Sequence, residues 1–199
     1  MADKIVVIGA GIAGLASAVA LQRRGYDVTV MEERTDTSTG AGISIWPNAL
    51  AALDHIGLGD PVREAGGQVT AGALRGYDGS WLLRPAAERF VRALGEPLVV
   101  IQRSVLRDIL TAALASGSIQ FGLAASGFAA TADGVRILLS DKSIRAASAV
   151  IGADGTRSVL ARHLNGPLTN RYAGYTSWRG VASCAMDPGV GRRDAGGRC

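Results

Sequence analysis

The 199-residue chain has only two cysteines, no run of five basic residues and no apolar stretch as long as a membrane span, and each scarcity closes off a class of protein. Cys184 and Cys199 sit near the C-terminal end with no CxxC and no neighbouring histidine. That leaves no basis for a disulfide framework or a zinc site, and points to a reducing, cytoplasmic setting. The 21 basic and 17 acidic residues give a formal charge of +4 and a pI near 9.5. The cations are scattered singly or in pairs such as Arg23-Arg24. A nucleic-acid stripe is therefore not expected, whereas an anionic small ligand suits this charge. The apolar run at residues 5–21 is interrupted by glycines and is shorter than the roughly 20 residues a membrane span needs. Asp3 offsets Lys4, so the basic start of a secretory signal is missing too. Neither a nucleic acid nor a membrane is an expected partner.

What the chain does have is 48% hydrophobic residues and 27 glycines, in a length that can bury roughly 70% of its unfolded surface. Residues 4–8 are an almost continuous β-branched run, the mark of a strand buried on both faces. Residues 12–24 have helical composition and end on Arg23, Arg24 and the stop signal Gly25. A second strand follows at residues 27–31. The three elements form a βαβ unit with parallel strands and a right-handed crossover. Downstream, the sequence predicts a loop at 34–42, a helix at 47–56 opened by Pro47, and a hairpin over 69–83 turning at Asp78-Gly79. A strand at 99–101 then leads into a helix capped by Ser104, whose apolar face carries Leu106, Ile109 and Leu110. Residues 119–122 read as a third parallel strand, 124–130 and 135–140 as further β stretches, and 149–152 as an apolar strand running into Ala153-Asp154-Gly155.

Gly9-Ala10-Gly11-Ile12-Ala13-Gly14 is a GxGxxG between a buried strand and a helix. The first glycine makes the sharp turn, the second lets a pyrophosphate approach the backbone, and the third lets helix and strand pack closely. Phosphates then meet the positive end of the helix. Eighteen residues after Gly14, Glu32 ends the second strand, where a carboxylate can accept hydrogen bonds from both ribose hydroxyls of an adenosine. The same carboxylate would repel a 2'-phosphate, so the first nucleotide is FAD or NAD rather than NADP. Asp154 lies just past the end of a strand, where open α/β sheets bind ligands.

Five motifs in order resemble the FAD-dependent aromatic hydroxylases, the single-component flavoprotein monooxygenases of the para-hydroxybenzoate and salicylate hydroxylase type. They are Gly9 to Gly14 with Glu32; Gly40-Ala41-Gly42-Ile43 with Trp46-Pro47-Asn48-Ala49; Arg103 with Leu106 and Leu110; Gly152-Ala153-Asp154-Gly155 with Arg157-Ser158; and Tyr172-Ala173-Gly174-Tyr175 with Trp178-Arg179-Gly180. The resemblance covers residues 4–183. It implies an α/β fold: a Rossmann-like FAD-binding βαβ domain with a parallel sheet, plus part of an antiparallel substrate-side sheet at about 65–83 and 172–184. It also implies roles. Glu32 would hold the adenosine ribose, with Arg34 near the adenine or phosphates. Gly42 and Ile43 would line the flavin side, and Arg103 would reach the pyrophosphate or ribityl chain. Asp154 belongs to a motif serving both FAD and a transient NADH or NADPH, and Trp178 and Arg179 would begin a substrate-side strand. In this family the nicotinamide reduces FAD, the flavin takes up O2 as a hydroperoxide, and an aromatic or related small molecule is hydroxylated.

The chain departs from the family pattern at three places. Glu33 stands where a basic residue commonly follows the ribose glutamate. Ala161 stands where an arginine closes the Asp-Gly motif, with Arg162 one place later. The later Gly-Asp motif that holds the ribityl chain and flavin ring has no counterpart in residues 160–199. The expectation is therefore an FAD-binding domain over 1–186, resembling the N-terminal half of such an enzyme, in a truncated form with impaired or no activity. Residues 187–199, with four glycines and three arginines, read as a disordered tail. Two alternatives remain open: an NAD-dependent Rossmann oxidoreductase, and a non-catalytic FAD-binding remnant.

Overall fold

A computed structural model describes residues 4–35, 41–70 and 72–176. Gly40, the strand expected from Trp178 and Arg179, both cysteines and the tail at 187–199 lie outside these residues. The chain begins as the sequence predicts, with β1 (Lys4–Ile8), α1 (Ile12–Gln22) and β2 (Asp27–Glu32). β1 and β2 pair in parallel from Lys4 with Asp27 to Ile8 with Met31. α1 stops two residues short of the expected end. Arg23 is its C-cap, and the Arg24 and Gly25 amides bond back to Leu21 and Gln22 in a tight turn that Gly25 completes at φ +86°.

Next come β3 (Gly42–Ile45), α2 (Pro47–His55), α3 (Gly59–Ala65), β4 (Gly67–Val69), β5 (Leu74–Arg75), β6 (Trp81–Leu83), α4 (Ala87–Leu94), β7 (Leu98–Gln102) and α5 (Arg103–Ala112). The remainder is β8 (Ile119–Phe121), β9 (Ala125–Thr131), β10 (Gly134–Leu139), β11 (Ile144–Ala147), β12 (Ala149–Gly152), a 3-10 turn (Gly155–Arg157) and α6 (Val159–Asn165). Several of these correct the sequence reading. α3 and α4 are helices that the sequence reading did not include. The hairpin is confined to β5 and β6, because Val69 belongs to β4, which pairs with β7. Ser104 lies inside α5; the N-cap is Gln102, since β7 runs straight into the helix and the Arg103 amide bonds to the Ala41 carbonyl. Residues 172–176 form no strand.

The central sheet is parallel, in the order β12-β1-β2-β8. Alternation along β1 sends side chains to both faces. Val7 joins Leu15, Leu50, Leu106 and Leu110 on the helical side, while Val6 and Ile8 join Met31, Ile137 and Leu139 beneath the antiparallel meander β9-β10-β11. Both faces are covered, which is why β1 reads as a continuous apolar run. A second antiparallel sheet, β3-β7-β4, turns Ile45, Val99 and Ile101 into the helical-side core. Among the described residues no helix is long and apolar enough to cross a membrane.

Arg63 ties α2, α3 and the approach to β7 together. Its guanidinium grips both Asp54 oxygens at 2.7 and 2.8 Å, and also reaches Glu96 at 3.1 Å and Asp60 at 3.4 Å. Gly59 makes room, since a Cβ there would overlap the Asp54 carboxylate. The Arg63 hydrogen bond holds the Asp54 carboxyl below its ordinary range, against a smaller opposing effect of burial.

Two outcomes are expected. A Cβ at Gly14 would overlap the Gly9 carbonyl, so Gly14→Ala should lower stability to urea by about 1–3 kcal/mol. Gly11→Ala, whose Cβ meets nothing within 4 Å, should stay within about 0.5 kcal/mol of the parent. For Asp54, the folded chain keeps the carboxylate ionised to lower pH than the unfolded chain does. Its contribution is thus complete above the ordinary aspartate range and disappears as pH falls through the lowered folded value. An NMR titration should find the Asp54 midpoint below that of a model aspartate, and Arg63→Gln should return it towards the ordinary value.

Candidate functional site

Three backbone segments converge where β1 ends. Gly9 turns at φ +102°, and its amide donates to the Met31 carbonyl at 2.7 Å, while the Ala153 amide donates to the Ile8 carbonyl at 2.8 Å. A Cβ on Gly9 would strike the Ala153 carbonyl, and one on Gly14 would strike Gly9. Only glycines let the turn, the start of α1 and the end of β12 approach this closely. The first helical bond of α1 runs from Leu15 N–H to the Gly11 carbonyl at 2.9 Å. The amides of Ile12, Ala13 and Gly14 therefore have no acceptor within the helix. No side chain caps this terminus.

Above this junction opens a cleft of about 640 Å3. Gly9, Gly11, Ile12, Ala13, Glu32, Arg34, Ile43, Arg103 and Asp154 all line it, so nine of the eleven residues singled out from sequence come together. The other two do not reach it. Gly14 lies beneath as a packing residue, and Gly42 pairs with Gln102 on the adjoining sheet. The open space over Gly11 is what the close approach of a ligand to the backbone requires.

The carboxylate of Glu32 is fixed from two sides. Its Oε2 accepts from the Ala10 amide at 2.7 Å and its Oε1 from the Arg34 amide at 2.9 Å. This clamps the glycine turn to the end of β2 and leaves each oxygen with further lone-pair capacity for a hydroxyl donor. Asp154 is engaged on one side only. Its Oδ2 accepts from the Val159 amide at 2.6 Å, while its Oδ1 is buried without a hydrogen-bond partner. Arg34 and Arg103 are exposed at the rim, and Glu33 also lines the cleft.

Sequence reasoning missed one wall. Leu123, Ala124 and Ala125 close the cleft beside Met31 and Glu32, held there by a bond from the Leu123 amide to the Glu32 carbonyl at 3.1 Å. Their apolar character carries no motif. Only the parallel pairing of β8 with β2 brings the stretch after β8 alongside Glu32. In chemical terms the cleft offers a positive helix terminus for an anion, a fixed carboxylate for hydroxyl donors, and an apolar slot next to that carboxylate.

Comparison with known proteins gives this arrangement a context. A family model described as FAD binding domain matches residues 3–188. The chain is 32% identical over 185 residues to the FAD-dependent urate hydroxylase of Mycolicibacterium vanbaalenii, covering 90% of this chain and 47% of that protein. It is 35% identical over 190 residues to the 3-amino-4-hydroxybenzoate 2-monooxygenase of Streptomyces cremeus, covering 93% and 48%. Among solved structures, Klebsiella pneumoniae HpxO complexed with FAD and uric acid superposes with a TM-score of 0.73 at 32% identity, over 81% of this chain and 41% of that one. The chain thus spans about half the length of the curated relatives it matches. The glycine turn, the clamped glutamate and a match running from residue 3 to residue 188 place this chain in the FAD binding domain family of flavin-dependent hydroxylases and monooxygenases.

Proposed function

We propose that residues 1–186 form the FAD-binding unit of a flavoprotein monooxygenase that uses NADH or NADPH and O2 to hydroxylate a small, aromatic or related molecule in the cytoplasm. The observation that carries the reading is the pairing of a carboxylate clamped at the end of β2 with an open, uncapped helix terminus in one cleft. The residues fit FAD. The α1 amides suit its diphosphate, Glu32 its adenosine ribose, and the apolar slot formed by Leu123 and Ala125 its adenine. Ile43 and Arg103 line the part of the cleft contributed by β3 and α5 and would meet the remainder of the cofactor. The relatives named for urate and aminohydroxybenzoate chemistry favour a planar small molecule as substrate.

When bound, FAD supplies the redox and oxygen-transfer chemistry. The chain's own contribution is positional and electrostatic. The α1 terminus places partial positive charge against the phosphates. Glu32 fixes the orientation of the adenosine end and disfavours a 2'-phosphate, which would set one anion against another. The glycines at 9 and 14 hold the floor of the cleft in place.

Titration of FAD fluorescence checks this reading. The parent chain should bind FAD saturably. Glu32→Gln should weaken it by about 10–100-fold, the loss of one charge-assisted hydrogen bond, with the circular dichroism spectrum unchanged. Equal affinity for parent and variant would remove Glu32 from the site. Anaerobic NADH or NADPH is expected to bleach the bound flavin. A spectrum that neither reductant moves would remove the reductase part of the reading and leave the FAD site standing.

A further inference from the structure

The antiparallel meander meets the cleft at an irregularity. Along β9 and β10 the pairing runs in register from Thr131 opposite Gly134 to Gly127 opposite Leu138, then steps to Ala125 opposite Leu139, so Ser126 is one residue too many on β9. Such a bulge bends its strand and leaves backbone groups of the ladder without their regular partners. Two serines stand in for those partners. The Ser126 hydroxyl donates to the Leu138 carbonyl at 3.1 Å and reaches the Leu139 carbonyl at 3.4 Å. Beyond the bulge, Ser140 engages both backbone groups of Ala124. Its amide donates to the Ala124 carbonyl at 2.8 Å, and its hydroxyl accepts from the Ala124 amide at 3.3 Å.

The bent end of β9 leads into the cleft. Leu123, Ala124 and Ala125 line it, and Leu123 is tied on its other side to the Glu32 carbonyl. This wall is therefore strung between the end of β2 and Ser140. Neither Ser126 nor Ser140 lines the cleft, so what they contribute there passes through the backbone of the wall. The extra residue also decides which side chains the wall presents. A one-residue slip turns every side chain of a strand to the other face, and in the bulged register Ala125 packs with Ile137 and Leu139 while still reaching the cleft.

We propose that this serine-braced bulge is a positioning device for the base end of the ligand, with Ser140 as its positioning residue: by holding Ala124 through both backbone groups, it keeps Leu123 to Ala125 at the distance from Glu32 that the base occupies. This rests on the FAD reading of the cleft, in which adenine lies against Leu123 and Ala125. Ser143 provides an internal control, because its hydroxyl makes a bond of 2.6 Å to Asp141 in the neighbouring turn of the same meander without lining the cleft.

The test is fluorescence titration of the full chain with FAD, with competition by ADP, which has the adenosine diphosphate and no flavin. Ser140→Ala should weaken FAD and ADP by the same factor, about threefold, and Ser126→Ala with Ser140→Ala by about tenfold. Ser140→Thr, which keeps the hydroxyl, should bind both as the parent does, and so should Ser143→Ala. In the ligand-free chain, the Ala124 amide should exchange its hydrogen about tenfold faster in Ser140→Ala than in the parent. Parent affinity in the double variant, or unchanged exchange at Ala124, would overturn the device while sparing the FAD site. So would FAD weakened with ADP unaffected, Ser140→Thr failing as Ser140→Ala does, or Ser143→Ala weakening both ligands equally. A parent chain that binds neither FAD nor ADP would take down the FAD reading and the device with it.

Discussion

The close approach of Gly9, Gly14 and Ala153 is the constraint on which the rest of the structure depends. With no side chain on the first two, the end of β1, the start of α1 and the end of β12 share one small volume. The register of β12 on β1, from Ala149 opposite Ile5 to Gly152 opposite Ile8, delivers Ala153 and Asp154 directly to that point. Two cores then grow from the same strand, one under the helices and one under the meander. The cleft is the space left above a junction that cannot be packed any closer.

The charges around the cleft derive from that geometry. The uncapped terminus of α1 leaves partial positive charge at the centre, and the carboxylates of Glu32 and Asp154 stand on opposite flanks of it. Glu32 does more than await a ligand. By accepting from Ala10 and Arg34 it braces the glycine turn against the end of β2, so the rotamer that would bind a ribose is held by the backbone before any ligand arrives. Such preorganisation lowers the ordering cost of binding. Asp154 is braced on one oxygen only, and that asymmetry is what sets the two flanks apart.

Much of this was legible in the sequence where the determinants are local. The β-branched run of β1, the spaced glycines and Glu32 at the end of β2 each specify a conformation within a few residues, and the structure assembles them as expected. The apolar strands β8 and β12 could be read for the same reason. α3 could not, because its seven residues open on Gly59 and include one large apolar residue, Val62; Val62 anchors it in the helical-side core, and Arg63 links it to Asp54 and Glu96. α4 is short but amphipathic, with Phe90, Val91 and Leu94 towards one side and Glu88, Arg89 and Arg92 towards the other; its pattern was present in the sequence and was passed over. The pairing of β4 with β7 rather than within the hairpin, and the arrival of Leu123 to Ala125 beside Glu32, are set by tertiary contacts that no single segment encodes.

The central claim is that one cleft, built on the glycine junction, takes the adenosine diphosphate end of FAD. A crystal structure of the chain grown with FAD tests it most directly. The account predicts the diphosphate against the amides of Ile12 and Ala13, a ribose hydroxyl within hydrogen-bond distance of Glu32, and the adenine against Leu123 and Ala125. FAD bound elsewhere, for example in the apolar groove between α1 and α2 lined by Ala16, Ala20, Ala49 and Leu53, with the Glu32 cleft holding only water, would contradict it.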